Sequence, residues 1–263
     1  MSHRSVQASS WVDGRTIHPT GPELPGRTIT EQDWRDVTFL HWRIPAERIA
    51  PHLPQGTRPD IHDGSAWIGL IAFRMVGLGV GRGHDLPWLG TFLETNVRTY
   101  TVDSHGRRGV TFLTLECDRL VAVLGARALL GLNYRWASQS LSRDQVGDQQ
   151  SLTYTSRGRP RLRGGEDPSR RTGIRVLIDA EQKAPSETDL FLTARFGLHE
   201  TTWNRPIWVP NTHSAWPLQQ GHLIELRDEL VAWCGLPGIT DHAPDSVLYS
   251  SGVRTHFGTP EFL

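Results

Sequence analysis

Phe92-Leu-Glu-Thr-Asn-Val-Arg-Thr-Tyr100 carries more information about the fold than any other stretch of this chain. Successive side chains of a β-strand point to opposite faces of a sheet, so a strand here has two different faces. One face holds Phe92, Glu94, Asn96, Arg98 and Tyr100, and the other holds Leu93, Thr95, Val97 and Thr99. The pattern predicts a strand with a row of polar groups, called here the polar row, along one side.

The polar row has two interpretations. If the face with Leu93 and Val97 packs into the protein, the row is simply exposed to solvent. If the sheet closes into a barrel, the row lines the interior, where buried polar and charged groups have to be paired. A buried row would form an anchor for a carbonyl or carboxylate group, with Glu94 available as an acid or a base.

Strand patterns continue on both sides of this stretch. The turn at Ser104-His-Gly106 predicts a hairpin between a strand at 92–102 and a partner at 109–117. The Asp63-Gly64 turn introduces a strand whose mostly apolar residues predict burial. The remaining strands are predicted at residues 39–44, 66–73, 133–142, 151–157 and 173–178.

Helices are expected to be few. They are predicted at residues 45–51, 119–130, 188–196 and near 226–234, and loops at the glycine-rich segment 77–83 and the Arg- and Gly-rich segment 158–172. Strands outnumber helices and tight turns join most neighbours, which favours an antiparallel, barrel-like α+β domain over a doubly wound sheet. Residues 1–30 lack periodicity and are predicted to be an extended arm before a single domain at 31–263.

Composition excludes several classes of function. The 263 residues include 28 basic and 28 acidic side chains, and this balance argues against binding nucleic acid or an anionic membrane. No apolar run approaches the ~18 residues of a membrane helix. The polar start predicts no secretion and a cytoplasmic location. Two cysteines, Cys117 and Cys234, cannot form a disulfide framework, and no cluster has zinc-ligand spacing.

The basic residues are almost all arginine. Lys183 is the single lysine, and it lies in a polar segment that contains a proline and several acids. Schiff-base chemistry needs a desolvated lysine amine. The sequence therefore predicts that this protein does not form one, and no cofactor is expected.

Histidine and aromatic residues supply further candidates. His41 lies among aromatic residues on a predicted strand, where it is either a hydrogen-bonded core residue or a catalyst. His213 either closes a pocket mouth beside Trp216 or belongs to a structural turn. The ten tryptophans mostly indicate core, although some can line an apolar ligand cavity. Taken with the polar row, the candidate substrate-binding residues are Asn96, Trp42, Trp67, Phe73, Tyr100, His213 and Trp216.

Six motifs together resemble the YqjF-like family, a bacterial domain-of-unknown-function family. They are Phe39-Leu-His-Trp42, Asp63-Gly-Ser-Ala-Trp-Ile-Gly-Leu70, Glu94-Thr-Asn-Val-Arg-Thr-Tyr100, Gly109-Val-Thr-Phe-Leu-Thr-Leu115, Gly125-Ala-Arg127 and Trp216-Pro-Leu-Gln219. The resemblance extends over about 34–257, nearly the whole chain. The family is placed in the acetoacetate-decarboxylase-like superfamily. The resemblance implies a mainly β, α+β fold: a curved antiparallel β-barrel with a central pocket and a few outer helices.

The chain also departs from the pattern of the proteins that it resembles. Acetoacetate decarboxylases contain an Arg-x-x-x-Gly-Tyr-Pro-Lys string whose lysine forms the Schiff base, and Arg127, Gly131 and Tyr134 match its spacing here. Tyr134 stands where the lysine would be, and Asn133 replaces a proline that YqjF-like proteins usually carry. The match implies that the scaffold and pocket are retained, with Arg127 near the substrate and Glu94 resembling an acidic pocket residue, while the amine mechanism is lost.

Two functions from different classes follow. In the first, Glu94, Arg98, His41 and Tyr134 converge on one cavity and catalyse acid/base chemistry on an enolisable carbonyl compound, such as a polyketide-like β-dicarbonyl, by dehydration, retro-aldol cleavage or cyclisation. In the second, the barrel binds or senses a small apolar molecule without turnover. A third alternative is a partner-binding or assembly protein. Related barrels assemble, so a homo-oligomer is a further alternative. The sequence favours the first function slightly.

Overall fold

The computed structural model describes residues 10–12, 15–80, 90–119, 133–159 and 170–263. Within these ranges the chain forms fifteen strands and three short α-helices. The strands are β1 (Ser10–Val12), β2 (Arg15–Ile17), β3 (Thr30–Ile44), β4 (Thr57–Pro59), β5 (Ala66–Val80), β6 (Phe92–Asp103), β7 (Arg108–Cys117), β8 (Tyr134–Val146), β9 (Gln149–Gly158), β10 (Arg171–Gln182), β11 (Gly197–Thr202), β12 (Arg205–His213), β13 (Leu218–Asp228), β14 (Ser246–Phe257) and β15 (Glu261–Phe262). The helices are α1 (Ala46–Ile49), α2 (Glu187–Thr193) and α3 (Leu230–Trp233), and a 3-10 turn at Ala50–His52 follows α1.

Thirteen of these strands form one sheet that closes on itself twice. The pairing of β6 with β7 closes a nine-strand circuit in the order β7-β8-β9-β10-β13-β14-β3-β5-β6. The pairing of β12 with β14 closes a second circuit of seven strands, β7-β11-β12-β14-β3-β5-β6. The two circuits therefore share a wall of five strands, β14, β3, β5, β6 and β7.

Most neighbouring strands in this barrel are antiparallel, as predicted. Two pairings are parallel, those of β7 with β8 and of β7 with β11. The barrel is therefore mixed, because β8 and β11 each return to β7 after a longer connection than a hairpin turn.

Alternation along the shared wall places the two faces of each strand in different cores. Leu40 and Leu70 face the nine-strand circuit, where they pack with Leu152 and Val176. Their odd-numbered neighbours, such as Phe39, face the seven-strand circuit, whose interior is called here the inner compartment. Each fully buried apolar side chain contributes about 1.5–3 kcal/mol to the free energy of unfolding. Because both faces of β5 are buried, this strand of the wall is predominantly apolar.

Several local signals in the sequence have the structures they predict. Asp63 and Gly64 both have positive φ, as a tight hairpin turn requires, and His62 pairs with Ser65 across that turn. The Ser186 hydroxyl accepts a hydrogen bond from the Asp189 N–H and caps α2. The predicted strands at 39–44, 66–73, 92–102, 109–117, 133–142, 151–157 and 173–178 are confirmed, and most extend further than predicted.

Several predicted boundaries are wrong, among them the end of the helix predicted at 188–196, which is at Thr193. Residues 77–80, predicted to be a loop, continue β5. Gly79 pairs with Glu31 through backbone atoms, which needs no side chain, and Gly77 adopts its positive φ near a bulge in this pairing. Residues 226–228 belong to β13 rather than to a helix, which begins at Leu230. The edges of the predicted loop at 158–172 are strand, and the predictions at 81–83, 120–130 and 160–169 lie outside the described residues.

The segment predicted to be an extended arm contains β1 and β2, which pair with each other in a separate two-stranded sheet. The thirteen-stranded sheet begins at β3. No helix in the described part of the chain has the length and apolar character needed to cross a membrane.

Candidate active site

The polar row of β6 is buried. Glu94, Asn96, Arg98 and Tyr100 expose between 0% and 8% of their surface. The row lies on the face of β6 that also carries Phe92, which packs into the inner compartment, whereas Val97 packs into the nine-strand core. Of the two interpretations of the row, the structure supports the buried one, because closure of the seven-strand circuit covers this face.

Glu94 accepts two hydrogen bonds from neutral donors. The Asn96 Nδ2 amide lies 3.0 Å from Glu94 Oε1, and the Tyr134 hydroxyl lies 2.7 Å from Glu94 Oε2. Register explains how residues so distant in sequence meet: Leu115 on β7 pairs with Asn96 on one side and with Tyr134 on the other. The strand pairing thus brings the first residue of β8 to the polar row.

The electrostatics of this group suit proton transfer at neutral pH. Burial raises the pKa of Glu94 to about 7, although the hydrogen bonds from Asn96 and Tyr134 and the charge of Arg98 act against the rise. Burial and the nearby Glu94 charge raise the pKa of Tyr134 well above its usual value. Tyr134 therefore stays a neutral donor while Glu94 titrates in the physiological range.

His41 and Tyr100 form a second hydrogen-bonded pair. The distance between His41 Nε2 and Tyr100 Oη is 2.6 Å. Gly69 pairs with His41 on one side and with Arg98 on the other. A Cβ atom on Gly69 would lie 3.0 Å from His41 Cδ2, so the glycine provides the space that the imidazole uses. Burial, with the charges of Arg98 and Arg195, lowers the pKa of His41 well below its usual value.

Arg98 is a buried cation without a carboxylate partner in the described part of the chain. Its guanidinium carbon lies 5.5 Å from the Phe39 ring centroid and 5.7 Å from that of Tyr100. Its Nη2 donates a long hydrogen bond of 3.4 Å to the Leu192 carbonyl. Its Nε has no hydrogen-bond partner among the described residues. A buried positive charge of this kind favours an anion or a developing negative charge beside it.

Aromatic rings continue from Arg98 across the inner compartment. The Phe39 ring lies 5.3 Å from Trp216, which lies 5.2 Å from His213 and 5.8 Å from Trp34. Burial lowers the pKa of His213, and the charge of Arg98 contributes to the shift. Phe73 pairs with Glu94 in register. Phe39 and Trp34 were not among the predicted site residues. Both are aromatic and precede His41 on β3, and this pattern could have identified them.

Two of the predicted substrate-binding tryptophans have hydrogen-bond partners away from Glu94. Trp42 faces the nine-strand core, and its Nε1 donates to the His242 carbonyl, so it stands on the opposite side of the wall from Glu94. Trp67 belongs to the inner compartment, but its Nε1 donates to the His62 carbonyl. Arg127 lies outside the described residues. Adjacent wall residues face different cores, and the sequence shows only that both are apolar.

A charged cluster beside Tyr100 was missed by the sequence analysis. Asp60 Oδ2 accepts hydrogen bonds from Arg108 Nε at 2.6 Å and from Arg195 Nη1 at 2.5 Å. Burial lowers the pKa of Arg195 to about 10. Burial alone would raise the pKa of Asp60, but the two arginines outweigh this and lower it. The Arg195 guanidinium carbon lies 4.7 Å from the Tyr100 ring centroid, which links the cluster to the site.

A second buried carboxyl, Glu200, was also missed. The backbone N–H of Phe112 donates to Glu200 Oε1 at 2.8 Å. Burial raises the pKa of Glu200 to about 8. Leu198, two residues earlier on β11, packs into the inner compartment. The hydrogen bond satisfies a backbone donor of β7 close to the single residue pair that joins β7 to β11, and no local pattern in the sequence marks it.

The single lysine has partners of its own. Lys183 Nζ lies 2.8 Å from Asp189 Oδ2 and 3.4 Å from Gln220 Oε1. Among the residues that the structure describes, no three His, Cys, Asp or Glu side chains are grouped so that they could hold a metal ion.

Comparison with known proteins places the chain in a family. The model of the family DUF2071, described as an uncharacterized conserved protein, matches residues 31–254. The uncharacterized protein YqjF of Bacillus subtilis (strain 168) is 28% identical over 194 residues, which cover 74% of this chain and 76% of YqjF. These matches agree with the resemblance noted from the motifs.

Solved structures share the fold at low sequence identity. Acetoacetate decarboxylase from Legionella pneumophila has a TM-score of 0.62 at 12% identity, covering 92% of this chain and 91% of that protein. An acetoacetate-decarboxylase-like enzyme from Sphingomonas wittichii RW1 has a TM-score of 0.59 at 12% identity over 90% and 94%. The enduracididine biosynthesis enzyme MppR has a TM-score of 0.59 at 15% identity over 91% and 89%. The chain therefore belongs to the DUF2071 family of uncharacterized conserved proteins and has the fold of the acetoacetate-decarboxylase-like proteins.

Proposed function

We propose that this protein is a cofactor-independent acid/base enzyme that acts on an enolisable carbonyl compound in the inner compartment. The substrate class is a polyketide-like β-dicarbonyl or β-hydroxycarbonyl, and the reaction is a dehydration, a retro-aldol cleavage or a cyclisation. The observation that carries the proposal is a pair of buried groups on one strand. Glu94 has a pKa of about 7, and Arg98 has no carboxylate partner among the described residues.

Glu94 is the proposed base. Asn96 and Tyr134 donate to its two oxygens, so the ionised carboxylate is held in one orientation while its charge stays available. A base with a pKa near the working pH combines sufficient ionisation with sufficient proton affinity. In a dehydration or an aldol cyclisation, Glu94 takes a proton from the carbon next to the carbonyl, and the resulting carboxylic acid gives it to the leaving hydroxyl or to the new alkoxide. In a retro-aldol cleavage, Glu94 takes the proton of the β-hydroxyl, the bond between the α- and β-carbons breaks, and the carboxylic acid gives the proton to the α-carbon of the enolate.

Arg98 is the proposed stabiliser of the enolate. Removal of the α-proton leaves negative charge on the carbonyl oxygen, and a fixed cation in a dry site stabilises that charge far more than water does. The charge of Arg98 also lowers the pKa of Glu94, which keeps the base ionised before the proton is transferred. Arg98 thus stabilises both the ionised form of Glu94 and the enolate that forms when Glu94 takes the proton.

The proposal does not include the Schiff-base mechanism of acetoacetate decarboxylases, because the chain has no lysine at the resembled position. Tyr134 occupies the position of the resembled lysine and donates its hydroxyl to Glu94. Lys183 is the single lysine and is paired with Asp189. The protein MppR has been solved with pyruvate and with the condensation product of pyruvate and imidazole 4-carboxaldehyde. In that protein a carbonyl compound is bound by this fold, which supports the substrate class proposed here.

The aromatic rings suit the apolar part of such a substrate. The Phe39 ring centroid lies 5.5 Å from the Arg98 guanidinium carbon and 5.3 Å from the Trp216 ring centroid. An apolar or aryl group bound here would leave its carbonyl group near Arg98.

The test uses the aldol adduct of acetone and benzaldehyde, a β-hydroxyketone with an aryl group. Exchange of its α-protons in D2O is followed by NMR, dehydration by the absorbance of benzalacetone, and cleavage by release of benzaldehyde. We expect the wild-type protein to accelerate exchange, and Glu94→Gln to lower the rate by about 10²–10⁴-fold. Glu47→Gln, which removes an exposed glutamate of α1, is the matched control and keeps the wild-type rate.

Exchange that is no faster with wild-type protein than with Glu94→Gln, over a panel of such carbonyl compounds, would sink the enzymatic proposal. If the same compounds nevertheless bind both proteins equally well by calorimetry, the non-catalytic binding barrel becomes the better description.

A further inference from the structure

We infer that the Nδ1–H group of His41 is a second hydrogen-bond donor, beside Arg98, for the oxygen that becomes negatively charged in the reaction, and that Tyr100 is the positioning residue that selects this tautomer. The inference rests on the proposed function for the identity of that oxygen. It specifies the donor atom and the tautomer of His41, which neither the motifs nor the comparisons assign.

The hydrogen-bond pattern selects the tautomer. A neutral imidazole carries one proton, either on Nδ1 or on Nε2. If Nε2 carried it and donated to Tyr100 Oη, the buried Tyr100 hydroxyl would have no acceptor for its own proton among the described residues. If the hydroxyl donates to Nε2 at 2.6 Å, its proton is used and Nδ1 carries the imidazole proton. The second arrangement leaves fewer buried polar groups unpaired.

The arginines around Tyr100 favour the same direction of donation. The guanidinium carbons of Arg195 and Arg98 lie 4.7 and 5.7 Å from the Tyr100 ring centroid. Positive charge near a phenol stabilises negative charge on its oxygen and makes the hydroxyl a stronger donor. The same cations, together with burial, keep His41 neutral. Its imidazole therefore accepts at Nε2 and retains a proton at Nδ1.

The Nδ1–H group is buried and has no partner in the described part of the chain. His41 exposes 0% of its surface, and Nδ1 forms no hydrogen bond with any described residue. Arg98 Nε is also buried and has no hydrogen-bond partner among the described residues. A buried donor without an acceptor destabilises the folded protein, so two of them in one compartment indicate a site that an acceptor atom completes.

Shared neighbours place the His41 ring and the Arg98 guanidinium in one compartment. The Phe39 ring lies 6.1 Å from the His41 ring and 5.5 Å from the Arg98 guanidinium carbon. Tyr100 likewise borders both, at 5.8 Å from the His41 ring. In register, only Gly69 separates His41 from Arg98. A neutral imidazole suits an oxyanion in the compartment that holds Arg98, since it donates without repelling the arginine.

Nitrogen-15 NMR of the full chain tests the inference without turnover. The His41 ring signals are assigned by their loss in His41→Gln. We expect a protonated Nδ1 and an unprotonated Nε2 in the wild-type protein, and a shift of the Nδ1 signal when acetylacetone, whose enolate carries the relevant charge, is added. In Tyr100→Phe, the tautomer should change to Nε2–H or to a mixture. The matched control Tyr249→Phe removes a phenol that contacts Asp36 instead, and it should leave the His41 signals unchanged.

A wild-type His41 protonated on Nε2, or a tautomer that persists in Tyr100→Phe, would overturn the inference. A protonated Nδ1 that does not respond to acetylacetone would overturn the donor role. Tyr100→Phe should also lower the rate of α-proton exchange about tenfold with a change in KM of less than about twofold, since one oriented donor to an oxyanion contributes mainly to kcat. Should Tyr100→Phe not fold, the wild-type tautomer alone decides. Absence of exchange with a correct tautomer would refute only the proposed function.

Discussion

The hydroxyl of Tyr134 donates a 2.7 Å hydrogen bond to Glu94 Oε2. In the resemblance noted from the sequence, Tyr134 matches the reactive lysine of acetoacetate decarboxylases, which implies a neutral donor where those enzymes carry an amine. The hydrogen bond stabilises the charged form of Glu94, whose pKa burial raises to about 7. The two residues thus form the acid/base centre of the proposed reaction, and the pH dependence of catalysis should report on it.

The rate of α-proton exchange should rise with pH and level off above about pH 7, because the carboxylate of Glu94 is the base and its pKa is raised to about 7. Arg98 lowers that pKa, so Arg98→Met should move the midpoint of the profile to higher pH and reduce the plateau by about 10²-fold. The measurement is the initial exchange rate between pH 5 and 9 by NMR. A rate that falls as pH rises through 7 would contradict the assignment of Glu94 as the base.

Glu94→Gln should stabilise the folded protein at neutral and alkaline pH. The pKa of Glu94 rises from 4.5 to about 7 on folding, so the folded state binds the proton more tightly. The associated stability is complete below about pH 4.5, is lost as pH rises through about 7, and by linkage amounts to about 3 kcal/mol.

Denaturant unfolding at several pH values checks this. The difference in free energy of unfolding between Glu94→Gln and wild-type protein should increase from pH 5 to pH 7 and then stay constant. The comparison isolates Glu94 from Glu200, whose pKa is also raised, because both proteins retain Glu200. A difference that does not vary with pH would show that Glu94 is not perturbed.

Gly69→Ala should displace His41. The added Cβ would lie 3.0 Å from Cδ2 and 3.2 Å from Nε2 of the imidazole, which is closer than ordinary contacts, so the hydrogen bond to Tyr100 should weaken. We expect a loss of about 1–3 kcal/mol in the free energy of unfolding and a change in the NMR signals of His41. Gly173→Ala is the control, since a Cβ there meets no atom within 4 Å. Equal effects of both substitutions would exclude a specific role for Gly69.

Asp60→Asn should destabilise the protein by about 3–5 kcal/mol, because it leaves the buried Arg195 and the half-buried Arg108 without their carboxylate. The pKa of Asp60 is lowered in the folded state, so the stability that it contributes is present above the ordinary pKa and lost as pH falls through the folded value. Thermal unfolding at neutral and acidic pH measures this. Asp63→Asn, which breaks an exposed pair with Arg43, should cost less than about 1 kcal/mol.

The sequence predicted the strands well because alternation is a local property. Phe39 and Trp42 illustrate its limit: both belong to β3 and both are apolar, yet they face different cores. Which face of a strand meets which core depends on pairings such as that of Asn211 with Phe257, which helps to close the seven-strand circuit. No pattern within either strand encodes that partner.

The residues of the candidate site that the sequence identified differ in the same way from those that it missed. Glu94, Asn96, Arg98 and Tyr100 were recognisable together because they alternate along one strand. Asp60 and Arg195 were not, because 135 positions separate them and neither lies in a motif. Gly69 belonged to a quoted motif, but its role beside His41 is a matter of contact across strands.

By itself, the sequence determined the alternation of β6, the mainly β composition and the presence of a single lysine, because these depend on residue identity and near neighbours. The match of Tyr134 to the lysine of acetoacetate decarboxylases is what the resemblance implies. Only the tertiary structure decided that the polar row is buried, that Tyr134 reaches Glu94, and that Arg98 lacks a carboxylate partner among the described residues. These properties arise when distant strands pair and exclude water from between them, and the energy of a charge depends on that exclusion.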